Sequence, residues 1–233
     1  WQQSCACWMG IGATSAPEST VSYEYGPGKG MFLSQASWSY PATNKVLFQA
    51  GFSYLKQAVS FTSQGGPNAP GATNINDQGL GYTWGGLGLS TQNDLTDPQS
   101  QDNVNERLSM SYVTGSHSFK VGAQLQQGTF NTRGNHPTGV TFRFNNGVPN
   151  RLTQGAVPIK SDTRVSAIGL FAQDQWTMNK LTLNLGVRYD KFHGRALAIT
   201  QAAGFFLPAR EVPAVEGLPD LQDITPRVGV AYD

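Results

Sequence analysis

Charged side chains are scarce in this chain of 233 residues: Asp, Glu, Lys and Arg together make up 13% of it, about half of the ~25% usual in globular domains. The formal net charge is only +1 and no run of Lys or Arg occurs, so the composition argues against a nucleic-acid-binding surface. No stretch approaches the ~20 apolar residues of a membrane helix. The first ten residues lack both an initiator Met and the pattern of a signal peptide, which predicts a piece of a longer protein.

Cysteine is also rare, with Cys5 and Cys7 as the two examples. A metal site would need more ligands, and the three histidines are scattered along the chain, so neither a metal nor a cofactor is expected. A disulfide between residues this close would close a short, strained ring, which favours two loop cysteines without chemistry. The glycine-rich segment Gly26–Gly30 lacks the spacing and the following helix of a phosphate-binding loop.

What the chain does contain is strict alternation, most clearly in residues 165–192. Apolar side chains occupy every second position from Leu181 to Tyr189, and the positions between them carry Thr182, Asn184, Gly186, Arg188 and Asp190. A period of two predicts a strand with one apolar and one polar face. The preceding run to Met178 is also strand-like, so a tight hairpin is expected. A two-residue and a three-residue turn would place Trp176 on opposite faces, and the sequence leaves this register open.

The same pattern recurs along the chain. It predicts seven strands, at 32–40, 46–54, 107–112, 119–126, 165–178, 181–192 and 227–233. Short turns fall at Pro41, Gly115 and Asn179, and long turn-rich segments cover 1–31, 56–105, 131–162 and 193–226. The aromatic residues Trp38, Tyr40, Phe52 and Tyr54 lie near predicted strand ends, where an interfacial girdle would place them.

Two fold classes carry such strands. In a soluble sandwich the apolar face packs against a second sheet, whereas in an outer-membrane barrel it faces lipid and the polar face lines a lumen. Arg188 and Asp190 on the polar face of a long strand favour the barrel. The prediction is an all-β, up-and-down antiparallel transmembrane β-barrel, present as an arc of about seven strands. An odd number of strands with long loops cannot close a barrel, because open edges leave backbone groups unpaired.

Chain direction adds a parity test. Short turns belong at one end of a barrel and long loops at the other, so one outward excursion must separate consecutive short turns. The extended pieces Gly81–Leu89 and Val140–Phe144 would break this parity if they spanned the membrane. Both are therefore predicted to belong to the long loops, each as half of a protruding hairpin, with Asn146-Gly147 as a strong turn pair.

Several segments together resemble the barrel of TonB-dependent outer-membrane receptors, and more narrowly the Oar-like type with a carboxypeptidase-regulatory-like domain. They are Trp38–Lys45, Ser111–His117, Arg143–Pro149, Phe171–Trp176, Leu181–Asp190, Pro208–Arg210 and Asp223–Arg227. Tyr40 departs from the small polar residue expected there. The resemblance implies a bacterial outer-membrane barrel of about 22 strands with a plugged lumen, contacting outer-membrane lipid. It also implies TonB-driven uptake of a scarce ligand such as a siderophore, oligosaccharide or peptide.

By the same resemblance, residues 1–233 are a fragment of one barrel domain, without the plug, the TonB-contacting segment, the N-terminal domain or the C-terminal strands. No functional residue of the family can be carried over. The lumen-face candidates for ligand binding are Asn184, Arg188 and Asp190, and Asp174 would join a charged cluster with the last two if it shares that face.

Other polar residues have weaker interpretations. A loop group could form a cation or sugar site or be a solvated loop: Glu211, Glu216, Asp220 and Asp223. His117 is expected to be solvated in its turn, and Asn131, Arg133, Asn135 and His136 are interpreted as loop polarity. The competing functions are a soluble β-sandwich that binds carbohydrate and a hydrolase on a β scaffold. No nucleophile–base arrangement has a supporting context, so an enzyme is not expected.

Overall fold

The computed structural model describes residues 4–9, 14–25, 30–63, 71–89 and 98–232. Seven long strands dominate it: β3 (Gly30–Pro41), β4 (Val46–Ser63), β7 (Gln99–Thr114), β8 (His117–Gly134), β11 (Ile159–Met178), β12 (Leu181–Ala196) and β15 (Val215–Tyr232). The short strands are β1 (Ser4–Met9), β2 (Val21–Tyr25), β5 (Asn74–Asp77), β6 (Tyr82–Trp84), β9 (Val140–Asn145), β10 (Val148–Gln154), β13 (Ile199–Gln201) and β14 (Arg210–Val212). One 3-10 turn covers Pro17–Ser19. Among these residues no helix is long and apolar enough to cross a membrane.

The seven long strands form one antiparallel sheet in the order β3-β4-β7-β8-β11-β12-β15, so each strand pairs with its neighbour along the chain. This confirms the predicted all-β, up-and-down architecture and its seven strands. Within the described residues β3 and β15 do not pair with each other, and the sheet is an arc rather than a closed cylinder.

The turn between β11 and β12 settles the register of the central hairpin. Met178 pairs with Leu181, so Asn179 and Lys180 form a two-residue turn, and Asn179 has the positive φ of 51° that such turns require. Trp176 pairs with Leu183, and paired residues point to the same side of a sheet. Trp176 therefore lies on the apolar face.

The apolar face of the sheet is open rather than packed. Leu185 is 45% exposed, Val187 49% and Val230 66%, and the few buried apolar residues of the described chain lie mainly near the loops, at Ala16, Ala58, Val59, Leu87 and Val157. On β12 the outward side chains are apolar from Leu181 to Tyr189 and become charged at Lys191. Nine residues at ~3.3 Å rise and ~40° tilt span roughly 23 Å, close to the height of a lipid-facing band. This exposure does not fit the sandwich alternative, in which a second sheet would cover the face.

The strands continue well beyond this band at the loop end, which corrects several predicted boundaries. β4 extends to Ser63 and β7 begins at Gln99, because the two strands go on pairing there although the polar run 99–103 of β7 lacks the apolar alternation that marks a spanning strand. Phe52, predicted near a strand end, consequently lies inside β4, whereas Trp38 and Tyr40 lie next to the turn end and stack at 5.6 Å.

Two predicted loops are partly strand. The segment 1–31 contains β1 and β2, and β2 pairs with the upper part of β4 from Val21 to Glu24. The segment 193–226 was predicted as a loop because it is rich in Gly and Pro, but β15 already begins at Val215 and runs through Pro219 and Pro226. The register of β12 and β15 shifts between His193 and Arg195, so residues 217–219 have no paired position and Pro219 lies in a bulge, where proline is tolerated.

The two extended pieces in the long loops do not join the wall, which confirms the parity argument. β6 pairs with β5 as a hairpin, and β9 pairs with β10 through the Asn146-Gly147 turn, whose φ values are 49° and 80°. β5 also runs parallel to β9. Two loops that are separate in sequence therefore share one four-stranded sheet, in the order β10-β9-β5-β6.

Candidate functional site: the polar inner face and the loop cap

The three lumen-face candidates share one side of β12. Asn184 pairs with Gln175 and Gly229, Arg188 with Phe171 and Thr225, and Asp190 with Gly169 and Asp223. The inner partners are polar or small in most rows, while the intervening rows carry the exposed apolar residues. The alternation thus places Asn184, Arg188 and Asp190 on the inner face of the arc, as predicted, and their part in ligand binding remains a hypothesis.

Arg188 and Asp190 form an ion pair along one strand. Arg188 donates from Nε to both carboxylate oxygens of Asp190, at 2.7 and 3.0 Å, and from Nη2 to Oδ1 at 2.8 Å. Residues two apart in a strand lie on the same face, which makes this contact possible. The pair lies across Gly169 of β11, where a Cβ atom would collide with the Arg188 guanidinium. A planar fork on a carboxylate fixes the direction of both groups over the inner surface.

Glycines accommodate the other long inner side chains in the same way. Arg107 lies over Gly51, its partner in β4. The Phe171 ring lies over Gly122, its partner in β8, with Cζ 2.5 Å from the place a Cβ atom would take. The contacts of these glycines are not a local feature of the sequence. Their pairing with a long residue on the neighbouring strand could not be found before the register was known.

The inner face carries an excess of cations. Within the described part of the chain, three inner cations have no carboxylate within ion-pair distance: Arg107, Lys120 and Arg227. Concavities open along this surface, among them two of similar size. One, of about 580 Å³, is lined by Arg107, Arg188 and Asp190, and another, of about 570 Å³, by Lys120, Asn184 and Arg227. These surfaces can contact polar or anionic groups that enter the arc.

Asp174 does not share that face, contrary to the hypothesis of a joint cluster. It pairs with Leu185 of β12 and Phe119 of β8, both on the apolar side. There its Oδ2 lies 2.7 Å from Nδ1 of His117, and the His117 ring stacks against Phe119 and Trp176, each at 5.2 Å. His117 is therefore a strand residue whose ring contacts a carboxylate, not a solvated turn residue. The prediction was wrong because the sequence left the length of the 179–180 turn open. The two-residue turn places Asp174 and Trp176 together on the apolar face.

The loop carboxylates do not converge on one site. His193 Nε2 lies 3.0 Å from Glu216 Oε2 and its Nδ1 3.8 Å from Asp220 Oδ2. Glu211 accepts a hydrogen bond from Thr200 within the β13–β14 hairpin, and Asp223 accepts one from Thr225. In the described part of the chain no group of three His, Cys, Asp or Glu side chains could hold a metal ion. The Gly26–Gly30 segment, apart from Gly30, and the side chains of Cys5 and Cys7 lie outside the described residues.

At the loop end, residues 71–89, 135–158 and 197–214 pack together, and we call them the loop cap. The first residue whose hydrogen bonds connect these loops is Asp77, whose side chain is fully buried at the end of β5. Asp77 Oδ1 accepts hydrogen bonds from the amides of Gly79, Leu80 and Asn146 at 3.0, 3.1 and 2.9 Å, and Oδ2 accepts one from Gly147 at 2.6 Å. Burial by itself raises the pKa of Asp77, but the four backbone donors outweigh it and hold the pKa below its usual value.

The second residue that connects the loops is His136, which was predicted to be an ordinary polar loop residue. Its side chain is 2% exposed. Nε2 lies 3.1 Å from the Leu87 carbonyl, and Nδ1 accepts hydrogen bonds from the amides of Gly139 and Thr138 at 3.0 and 3.3 Å. Burial lowers the pKa of His136, and the bond to Leu87 opposes that effect in part. No local signal marked this residue, because its partner lies 49 positions away.

The third loop joins the cap through residues near Gly139. The Phe205 and Phe206 rings lie over Gly139, at 3.0 and 3.3 Å from the place of a Cβ atom, and Gly139 has a φ of 66°. Gln201 donates a hydrogen bond to the Pro158 carbonyl. The N-terminal segment also contributes, since Glu18 accepts a hydrogen bond from the Gly85 amide at 3.1 Å. The loops therefore form one packed body above the wall.

Comparison with known proteins agrees with this architecture. Residues 19–233 match the family described as outer membrane beta barrel domain. Among solved structures, the chain is similar to the siderophore receptor PiuA from Acinetobacter baumannii, with 13% sequence identity and a TM-score of 0.51. That alignment covers 91% of this chain and 30% of the receptor, so the chain spans about a third of the length of its structural relative. At that identity the likeness shows the fold. No curated protein matches the chain.

Proposed function

Because the chain belongs to the outer membrane β-barrel family and so lies in the bacterial outer membrane, we propose that it is part of the barrel of a TonB-dependent receptor of the Oar-like type. The observation that carries the proposal is the two-sided wall, with an exposed apolar outer face and a polar inner face on seven consecutive strands. An inner face with cations and two concavities suits a lumen that holds a plug domain and passes a polar ligand.

In this proposal residues 1–233 are one stretch of a single, larger barrel domain. The short turns face the periplasm and the loop cap faces the outside, as is usual in outer-membrane barrels. The plug and the TonB-contacting segment belong to parts of the protein outside these residues. The structural relative is a siderophore receptor, which supports a scarce, energy-dependently imported ligand as the transported class. Asn184, Arg188 and Asp190 contact the plug or that ligand.

Two experiments test the proposal on the full-length protein. The first is extraction: a barrel with this lipid-facing band stays in the membrane pellet under high-salt buffer and dissolves only in detergent. A protein released by buffer alone would instead support the soluble carbohydrate-binding sandwich.

The second experiment is uptake in cells that express the receptor. Ferric siderophores, maltooligosaccharides and short peptides, each radiolabelled, are offered with and without the inner-membrane uncoupler carbonyl cyanide m-chlorophenylhydrazone. We expect accumulation of one class only in energised cells that contain TonB. Equal accumulation in uncoupled or TonB-deficient cells would show a passive pore and contradict the proposal.

A further inference from the structure

His136 connects three loops at one point. Its Nε2 reaches the Leu87 carbonyl in the first loop, and its Nδ1 accepts the Gly139 amide of its own loop. Phe205 of the third loop lies over the same Gly139. The turn 136–139 is therefore held by one imidazole ring, and the neighbouring loops pack on that turn.

The hydrogen bonds determine which nitrogen of His136 carries the proton. Two backbone N–H groups, of Thr138 and Gly139, point at Nδ1, so Nδ1 is the acceptor and Nε2–H donates to Leu87. A second proton on Nδ1 would place an N–H group against two other N–H groups. Thr138 Oγ1 lies 3.4 Å from Nδ1 and can accept that proton, but the doubly protonated ring has no acceptor left for the Thr138 and Gly139 amides, so protonation destabilises the closed turn.

In the part of the chain that the structure describes, no charged side chain is bonded to the ring. The segments that bond to His136 or contact its turn at Gly139 are 85–89, 137–140, 155–158 and 205–207, and none of them contains an Asp, Glu, Lys, Arg, His or Tyr residue. A second contact joins the two loops there, between Thr73 Oγ1 and Thr138 Oγ1 at 3.1 Å, and both of these side chains are uncharged. The ring is 2% exposed, so water does not solvate an imidazolium in the closed state either.

We propose that His136 is a pH-sensitive switch in the loop cap. The turn 136–139 stays bonded to Leu87 while the ring is neutral and is released when the ring gains a proton. On release the turn 136–139 separates from Leu87, and the third loop loses its support at Gly139. That release loosens the loops around the mouth of the lumen in acidic surroundings. Its effect on ligand entry rests on the proposed receptor function, whereas the release itself does not.

The sign follows from proton linkage. Burial holds the pKa of His136 below its ordinary value, so the open state binds a proton more readily than the closed state. The closed state loses relative stability as pH falls below about 6.5, the ordinary histidine value. It loses up to about tenfold in closed-to-open ratio per pH unit until the pKa of the closed state is reached.

The test is hydrogen exchange with mass spectrometry on the full-length receptor in lipid nanodiscs at pH 7.5, 6.5 and 5.5, corrected for intrinsic exchange rates. We expect peptides that contain Leu87 and Gly139 to open up to about tenfold more at pH 5.5 than at pH 6.5, while peptides from β11 stay unchanged. Equal protection of Gly139 at all three pH values in the unmodified receptor would overturn the proposal, without the need for a variant.

Two matched variants identify the titrating group. His136→Gln keeps a donor and an acceptor but does not titrate, so its cap should show no pH response between 7.5 and 5.5. His193→Gln makes the same change at a partly exposed histidine of β12 and should keep the full response. A response that persists in His136→Gln, or disappears in His193→Gln, would assign the effect elsewhere. If the unmodified receptor shows the pH response of hydrogen exchange but takes up no ligand, the result counts against the receptor function and not against the pH-sensitive switch.

Discussion

The Asp77 carboxylate accepts a hydrogen bond from the Gly147 amide at 2.6 Å, although the two residues lie 70 positions apart. Gly147 belongs to the tight turn of one loop hairpin, and Asp77 ends a strand of another. With the bond to Asn146, both amides of that turn are satisfied by one buried side chain. Two loops on separate pairs of wall strands are thereby joined into one body.

Removal of the Asp77 carboxylate should separate the two hairpins. In Asp77→Ala four backbone donors lose their acceptor, and a buried donor without a partner is costly. We expect the amides of Asn146 and Gly147 to exchange at least about tenfold faster, because a hydrogen bond to a charged group contributes about 1.5–3 kcal/mol, which corresponds to at least that factor. Hydrogen exchange on the full-length receptor measures this. The control is Asp223→Ala, whose carboxylate accepts from the nearby Thr225, and an equal effect in the control would contradict the prediction.

Acid should release the cap in two separate steps. Because the pKa of Asp77 is lowered in the folded protein, its contribution is complete above about pH 4, the ordinary aspartate value, and disappears only as pH falls through the lower folded value. The His136 step begins near pH 6.5, so the amide of Gly139 should lose protection before the amide of Gly147. A pH series of hydrogen exchange from 7.5 to 3 shows the order. Simultaneous loss at both amides would mean that the cap opens as one unit.

The wall was predictable from the sequence because its information is local. From Leu181 to Asp190 the side chains alternate at every step, and a strand with one side in lipid and the other in water needs that alternation. The Asn146-Gly147 turn was equally local, since both residues must adopt positive φ. The faces of Asn184, Arg188 and Asp190 follow from the same rule.

The cap and the face of Asp174 depend on contacts that no local pattern encodes. Asp77 and His136 find their partners 70 and 49 positions away. Asp174 changes face with the length of a turn that two readings allowed. The strand from Val215 was not predicted for another reason: Pro219 is a loop signal in general, but here it lies in a bulge where the register of β12 and β15 shifts, and a bulge tolerates proline.

Inner glycines should differ in their tolerance of a methyl group. At Gly122 a Cβ atom would lie 2.6 Å from the Leu108 carbonyl oxygen and 2.5 Å from the Phe171 ring, whereas at Gly229 the nearest atom, Cβ of Asn184, is 3.6 Å away. Gly122→Ala should therefore cost ~1–3 kcal/mol through overpacking, and Gly229→Ala should be neutral or slightly stabilising, since glycine weakens strands. Urea unfolding of the full-length receptor in lipid vesicles gives both free energies. Equal values would show that the register across β7, β8 and β11 is wrong.

A charge scan across β12 separates the lipid face from the lumen face. Val187 is 49% exposed on the apolar side and pairs with Ala172, near the middle of the lipid-facing band. Val187→Arg should destabilise the barrel and lower its free energy of unfolding by ~2–4 kcal/mol, because the guanidinium must leave water. Asn184, three positions earlier, lines an inner concavity, where Asn184→Arg keeps its charge hydrated and should change stability little. Both variants are measured by urea unfolding of the full-length receptor in lipid vesicles. A larger loss in Asn184→Arg than in Val187→Arg would exchange the two faces and remove the basis for the lumen.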